Sequence, residues 1–95
     1  MNRLGWFRDV RRRASVRIAA MSKARLHLTF SEHLISEPVI HRVGTEFGLV
    51  TNIRRANLDE ERGGWIIVEV EGDGDRIAEA VSWLADIGLQ VDRID

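Results

Sequence analysis

The segment 65–71, Trp-Ile-Ile-Val-Glu-Val-Glu, is the clearest strand candidate in the chain. Every second residue from Ile66 to Val70 is apolar, and this alternation is typical of a strand with one buried face. Gly64 before the segment and Gly72 after it mark where the strand connects to its neighbours. The acidic stretch that precedes Gly64 predicts a hairpin, so this strand is expected to pair with the one before it.

A strand and a helix are predicted upstream of this segment. From Leu26 to Phe30 apolar and polar residues alternate, as in a half-buried strand. Residues 36–38, Ser-Glu-Pro, have the composition of a helix start, with Ser36 as the expected capping hydroxyl. The apolar stripe of this helix consists of Val39, Ile40, Val43 and Phe47. Gly48 is the expected stop at its C-terminal end.

The remaining elements lie on both sides of the central strand. Residues 49–59 are a weakly patterned strand candidate. The turn at residues 72–75, Gly-Asp-Gly-Asp, predicts a capping aspartate and the start of a second helix, which ends at Gly88. The apolar stripe of this helix consists of Ile77, Ala80, Val81, Leu84 and Ile87. Residues 89–93 are expected to form a short last strand.

The order strand–helix–strand–strand–helix–strand predicts an α+β fold, a ferredoxin-like sandwich with a four-stranded antiparallel sheet and two helices on one face. The covered face of the sheet is expected to carry Leu26, Leu28, Phe30, Ile66, Val68 and Val70. The open face is expected to carry His27, Thr29, Trp65 and Ile67. Because Trp65 and Ile67 would then be exposed, we expect an interface or a ligand surface there.

Length and composition restrict the classes of function. The 95 residues are enough for one small domain. The chain has no cysteine, which excludes disulfides, cysteine-based metal sites and a thiol nucleophile. No apolar run approaches the ~18 residues of a membrane span.

The N-terminal part of the chain is basic, whereas the rest is acidic. We therefore expect a basic N-terminal arm at residues 1–22 and one domain at residues 23–95. Six arginines and one aspartate give residues 1–20 a net charge of +5, whereas residues 21–95 carry eight basic and fourteen acidic side chains, a net charge of −6. The arm lacks the apolar stretch of a secretory signal. Three interpretations stay open: a frayed terminus, a segment upstream of a natural start at Met21, or a short amphipathic helix that contacts nucleic acid or a membrane surface. The apolar residues at helical spacing are Leu4, Phe7, Val10 and Ala14.

Patterns typical of metal sites or catalysis are weak. His27, His33 and His41 lack the spacing of paired ligands, so we expect surface histidines and no metal. The turn at residues 72–75 has too few acidic ligands for calcium. The serines lack a histidine–acid arrangement, and the loop at residues 31–36 lacks the glycines and arginine that would cradle a phosphoryl group. We therefore expect no enzyme activity and no cofactor.

Two residues outside the core pattern are candidates for contacts. Trp83 lies about 120° from the centre of its helix stripe, which fits either a half-buried residue at the core edge or a contact residue. Asn52 is a poor strand former in the second strand, where its amide offers two donors and an acceptor. A turn or a bulge at this position is the other interpretation.

Residues 25–94 resemble the NIL domain, a ferredoxin-like regulatory domain at the C-terminus of bacterial methionine-importer ATPases. The matching segments, in order, are residues 26–30, 37–40, 47–48, 52–53, 64–72, 80–84 and 88–91. In that family the module pairs with its own copy and binds methionine at the interface, which inhibits transport. Matched by position, the ligand-binding residues are Asn52, Ile53, Trp65 and Ile66. Arg54 stands where the family has an aliphatic residue.

The resemblance implies a non-catalytic, cytoplasmic, homodimeric sensor of an amino acid, with methionine as the candidate ligand, that regulates a separate protein. The other hypothesis is a protein–protein interaction module without a ligand, with an interface formed by Trp65, Ile67 and Trp83. Two geometries of the homodimer stay open. Edge strands could join into one continuous sheet, or two open sheet faces could pack together.

Overall fold

The computed structural model describes residues 21–94, which form a sheet and two helices. The strands are β1 (Met21–Phe30), β2 (Val50–Asp59), β3 (Gly63–Asp73) and β4 (Gln90–Arg93). The helices are α1 (Val39–Phe47) and α2 (Gly74–Asp86), and a 3-10 turn at Glu32–Leu34 follows β1. The four strands are antiparallel in the order β2-β3-β1-β4. This topology confirms the predicted α+β ferredoxin-like sandwich.

The core lies between the sheet and the helices. The six residues that were expected on the covered face of β1 and β3 are all buried, and none is more than 5% exposed. They are joined in the core by Val39 and Val43 of α1 and by Ile77, Ala80 and Leu84 of α2. The helical stripes therefore pack on the sheet face that the period-2 pattern indicated.

Strand β1 begins earlier than its apolar pattern predicts. It starts at Met21, because Met21 pairs with Asp73 and Ser22 with Gly72 at the far end of β3. Backbone hydrogen bonds to the long strand β3 hold Met21 and Ser22 in the sheet, although their side chains are polar or exposed. The strand thus includes the last two residues of the expected arm, while residues 1–20 lie outside the described part of the chain.

The start of α1 differs from the prediction that Ser36 caps it. The N-cap residue is Pro38, and no side chain provides a capping hydrogen bond. Ser36 lies two residues too early, because the chain makes a further turn in which the Val39 N–H donates to the carbonyl oxygen of Glu37 at 2.8 Å. The expectation of a capping hydroxyl was therefore wrong.

The other helix boundaries follow the predicted local chemistry. Gly48 ends α1 in the left-handed conformation with φ 65° and ψ 32°. Asp73 caps α2, and its carboxylate accepts a hydrogen bond from the Asp75 N–H. The donor–acceptor distance is 2.8 Å. The turn at residues 72–75 is thus explained by its capping aspartate.

Strand β2 contains a β-bulge that changes which side chains face the helices. Ile53 pairs with Val68 of β3, but the next pair is Arg55 with Ile67. Arg54 is therefore an extra residue in the strand. Before the bulge Asn52 lies on the open face of the sheet, and after it the odd-numbered residues do.

Candidate functional site

The open face, which is the sheet face turned away from the helices, is charged at one end. Lys23 and Arg25 of β1 lie opposite Glu71 and Glu69 of β3. Arg25 Nη2 donates to Glu69 Oε2 at 3.2 Å, and Lys23 Nζ lies 3.9 Å from Glu69 Oε1 and 3.7 Å from Glu71 Oε2. Two positive and two negative groups balance each other, so this end has no excess charge for a charged ligand.

The other end of the open face is aromatic and apolar. The Trp65 ring stacks on the His27 ring, with centroids 5.5 Å apart and planes 20° apart. Ile67 lies between His27 and Arg55 in the register of the three strands. Trp65 and Ile67 do share the open face as predicted, but they are half-buried because these neighbours cover part of each side chain.

Strand β2 is the more extensive of the two sheet edges in the described residues. Nine of its ten residues are exposed, and only Thr51 is half-buried. Val50 is 64% exposed and Ile53 is 50% exposed, although Ile53 points toward the helix side of the sheet. An edge with free backbone groups and exposed aliphatic side chains is suited to bind an additional strand.

The structure exposes two of the four expected ligand-binding residues on β2 but does not gather the four on one surface. Asn52 and Ile53 are neighbours on exposed β2, on opposite faces of the sheet. Trp65 shares the open face with Asn52, but four positions of β3 separate Trp65 from Glu69, the partner of Asn52. At about 3.3 Å per residue this is roughly 13 Å. Ile66 is only 4% exposed and belongs to the core, so its side chain is not accessible to a ligand in the single chain.

Trp83 lies in the helix layer, away from the open face. It is half-buried, and its ring contacts Phe47 at a centroid distance of 5.7 Å and an angle of 49°. The guanidinium of Arg42 lies 4.7 Å from the centre of the ring. Trp83 thus packs between α1 and α2. A partner that binds the open face would therefore contact Trp65 but not Trp83.

A cleft that the sequence did not predict lies where β1 begins. It has a volume of about 570 Å³ and lies between the end of α1 and the start of α2. We call it the basal cleft. It is lined by Met21, the segment 45–48, Val50, the segment 71–73 and Arg76. The sequence marks Gly48 only as a helix stop and Gly72 only as part of a turn, and neither role indicates a cleft.

The three histidines do not form a metal site. His33 is exposed and lies 3.9 Å from its neighbour Glu32, whereas His27 is half-buried against Trp65. Among residues 21–94, no three histidine or acidic side chains come close enough to hold a metal ion. In the same residues, no helix has the length and hydropathy that a membrane crossing needs.

Comparison with known families decides the classification. The model of the NIL domain family matches residues 24–93, which is most of the chain. The chain belongs to the NIL domain family. NIL domains are non-catalytic regulatory domains that occur in ABC transporter ATPases, so the resemblance inferred from the ordered sequence segments is confirmed.

A solved structure agrees with the fold of this NIL domain. The crystal structure of the C-terminal domain of an ABC transporter/ATP-binding protein from Enterococcus faecalis is similar with a TM-score of 0.66. The two chains share 18% sequence identity, and the similarity covers 75% of this chain and 82% of that chain. At this identity the comparison establishes the fold alone. No match was found among curated proteins.

Proposed function

We propose that this NIL domain is a regulatory module that forms a homodimer along β2 and binds an amino acid where the two strands meet. Methionine is the first candidate ligand. The observation that carries the proposal is the exposed pair Asn52 and Ile53 on an edge strand that has no strand partner on its outer side among residues 21–94. Two of the four residues that match the ligand-binding positions of the family therefore lie on the strand that is open to a second copy.

The chemistry of this edge fits an amino acid. The side-chain amide N–H of Asn52 can donate to the ligand's carboxylate, and the amide oxygen of Asn52 in the second copy can accept from its ammonium group. Val50 lies on the same face of the sheet as Asn52 and supplies exposed apolar surface for an aliphatic or thioether side chain. The flexible thioether of methionine adapts to such a surface, which is closed only when the second copy covers it.

Of the two dimer geometries, pairing of β2 edges has the stronger support. Three aliphatic side chains of β2 are exposed, namely Val50, Ile53 and Leu58. The open face, in contrast, has balanced charges at one end and half-buried rings at the other. In a two-fold arrangement β2 pairs with itself, so a position near the axis meets its own copy. Asn52 near this axis would contribute both amides to one site.

Regulation would follow from a difference in ligand affinity between two arrangements of the dimer. A ligand shifts an equilibrium only as far as its affinity for the two states differs. Regulation also requires a contact with the domain or protein that is regulated. The half-buried patch of Trp65 and Ile67 on the open face is the surface that we assign to this contact.

The test combines sedimentation equilibrium with calorimetric titration of the full chain by methionine and other amino acids. We expect a dimer and a saturable binding heat. Asn52→Ala should lower the affinity about 10- to 100-fold, as expected for the loss of a hydrogen bond to a charged group, and leave the dimer intact. Asn57→Ala is the matched control, because Asn57 is also exposed on the open-face side of β2 but lies beyond the bulge.

Two outcomes would contradict the proposal. A monomer at all concentrations would exclude the shared site. A dimer that binds none of the amino acids at millimolar concentration would favour the second candidate function, a protein–protein interaction module without a ligand. The exposed aliphatic residues at both ends of β2, Val50 and Leu58, support that function as an alternative because they need a partner but no metabolite.

A further inference from the structure

The basal cleft combines an apolar floor with a rim of carboxylates. Met21 is 40% exposed, Val50 is 64% exposed and Phe47 is half-buried, so apolar surface in the cleft is open. The carboxylates of Glu46, Glu71 and Asp73 also line it. A segment that fits here therefore needs both apolar and positively charged side chains.

Two of the three carboxylates in the cleft already have a basic partner but remain open to solvent. Glu46 accepts from Arg42 Nε at 3.1 Å, yet its side chain remains 48% exposed. Glu71 lies 3.7 Å from Lys23 and Glu69 lies 3.2 Å from Arg25, yet the Glu71 side chain remains 41% exposed.

The helix ends at the cleft favour a cation over an anion. Asp73 already occupies the N-terminal end of α2, where its carboxylate accepts from the Asp75 N–H. Arg76, the one basic side chain of the lining, donates to Glu79 at 3.0 Å. The C-terminal end of α1 contributes the negative end of its helix dipole at residues 45–47.

The chain itself carries a segment of matching chemistry at this place. Residues 1–20 have six arginines and a net charge of +5, with Leu4, Phe7 and Val10 among them. They precede Met21, which is both the first residue of β1 and part of the cleft lining. Arg17 is four residues from Met21, a reach of at most about 14 Å. Because the segment is covalently attached, its docking is an intramolecular step that dilution of the protein does not weaken.

We propose that the arginine-rich segment of residues 1–20 docks in the basal cleft of its own chain. Its arginines pair with Glu46 and Glu71, and its apolar residues cover Met21 and Phe47. Since Val50 begins β2, the docked segment borders the strand edge near Asn52. The docking rests on charge and apolar surface in one chain and does not depend on a dimer or an amino-acid ligand.

The absence of cysteine makes a direct test possible in the full chain. A nitroxide attached to Gly5→Cys would broaden the amide NMR signals of Gly48 and Gly72 if the segment docks. Glu46→Lys combined with Glu71→Lys should lower the docking equilibrium constant about fivefold, the effect of two exposed ion pairs, and reduce the broadening accordingly. A salt concentration of 1 M, where the Debye length is about 3 Å, should act in the same direction.

The matched control is Glu32→Lys combined with Glu61→Lys. Both residues are exposed and flank the opposite end of the sheet, near Phe30 and Gly63, and the net charge changes equally. This control should keep the broadening, and circular dichroism should verify that both double variants are folded. A further variant, Arg11→Glu with Arg12→Glu and Arg13→Glu, should restore docking in the lysine-substituted cleft.

Three results would overturn the proposal. The first is equal broadening in the cleft variant and the control. The second is no broadening of Gly48 and Gly72 in the starting protein. The third is broadening that occurs only between chains, in a mixture of spin-labelled protein and isotope-labelled protein, because it would assign the cleft to a second copy.

Discussion

The rings of Trp65 and His27 stack across β3 and β1 with centroids 5.5 Å apart, although the two residues are diagonal rather than direct neighbours in the register. Such a pair contributes about 0.5–1.5 kcal/mol beyond the area it buries. We predict this coupling energy for a double-mutant cycle of His27→Ala and Trp65→Ala, measured by urea unfolding. Thr29→Ala is the control partner, because Thr29 lies directly opposite Trp65 but has no ring. A coupling no larger for His27 than for Thr29 would show that the stack adds nothing.

Gly64→Ala should destabilise the fold by about 3 kcal/mol or more, within the class of severe backbone effects. Gly64 has φ 146°, and a methyl group there would overlap the carbonyl oxygen of Asn57 on the paired strand. Gly48→Ala is the comparison, because Gly48 has φ 65° but no atom within 4 Å of an added methyl group. This second change should cost only about 1–2 kcal/mol, the price of the left-handed conformation. Similar decreases in the free energy of unfolding of the two variants, measured by thermal denaturation, would contradict the predicted overlap.

Asp73→Ala should lower the free energy of unfolding by about 1 kcal/mol, as is typical for the loss of an N-cap. The change removes the acceptor that binds the Asp75 N–H at 2.8 Å at the start of α2. Ser36→Ala should have almost no effect, since Ser36 is exposed and no side chain caps α1. Denaturant titrations of the two variants check this difference. A larger effect at Ser36 would mean that α1 starts earlier than described.

Leu28→Ala should cost about 2–5 kcal/mol, because it leaves a cavity in a close-packed core. The Leu28 side chain is 0% exposed, whereas Leu58 is 43% exposed on the edge strand. Leu58→Ala should therefore change the unfolding free energy at low protein concentration by less than about 0.5 kcal/mol, as surface substitutions usually do. The free energies of unfolding of the two variants, measured by tryptophan fluorescence, check this difference. A large loss for Leu58→Ala in a dilute monomer would show that β2 contributes to the core.

The fold could be predicted from the sequence because two periodicities agree with each other. Apolar residues at every second position of β3 and at helical spacing in α2 point to the same core, and the buried side chains of Val68 and Leu84 confirm it. The ends of strands were harder to predict from the sequence where backbone pairing, and not hydrophobicity, determines them. Ser22 and Lys23 belong to β1 only because β3 is long enough to bind them.

The candidate site was harder to predict because it depends on strand register. Matching to the family assigns Asn52, Trp65 and Ile66 to one site. Only the strand pairing shows that Trp65 lies four residues along β3 from Glu69, the partner of Asn52, which is roughly 13 Å. The alternating pattern itself already placed Ile66 on the buried face, and the structure agrees. The basal cleft has no signature in the sequence, since it arises where the ends of five elements converge.

The extra residue Arg54 has a consequence for how large an assembly can grow. A flat edge of ten residues with exposed aliphatic side chains would template strand after strand without limit. The bulge bends this edge after Ile53, and the consecutive arginines 54 and 55 place like charges at the bend. In the proposed homodimer, an incoming strand would follow only the short run from Val50 to Ile53, and the bent, positively charged edge beyond it would oppose the growth of a fibril.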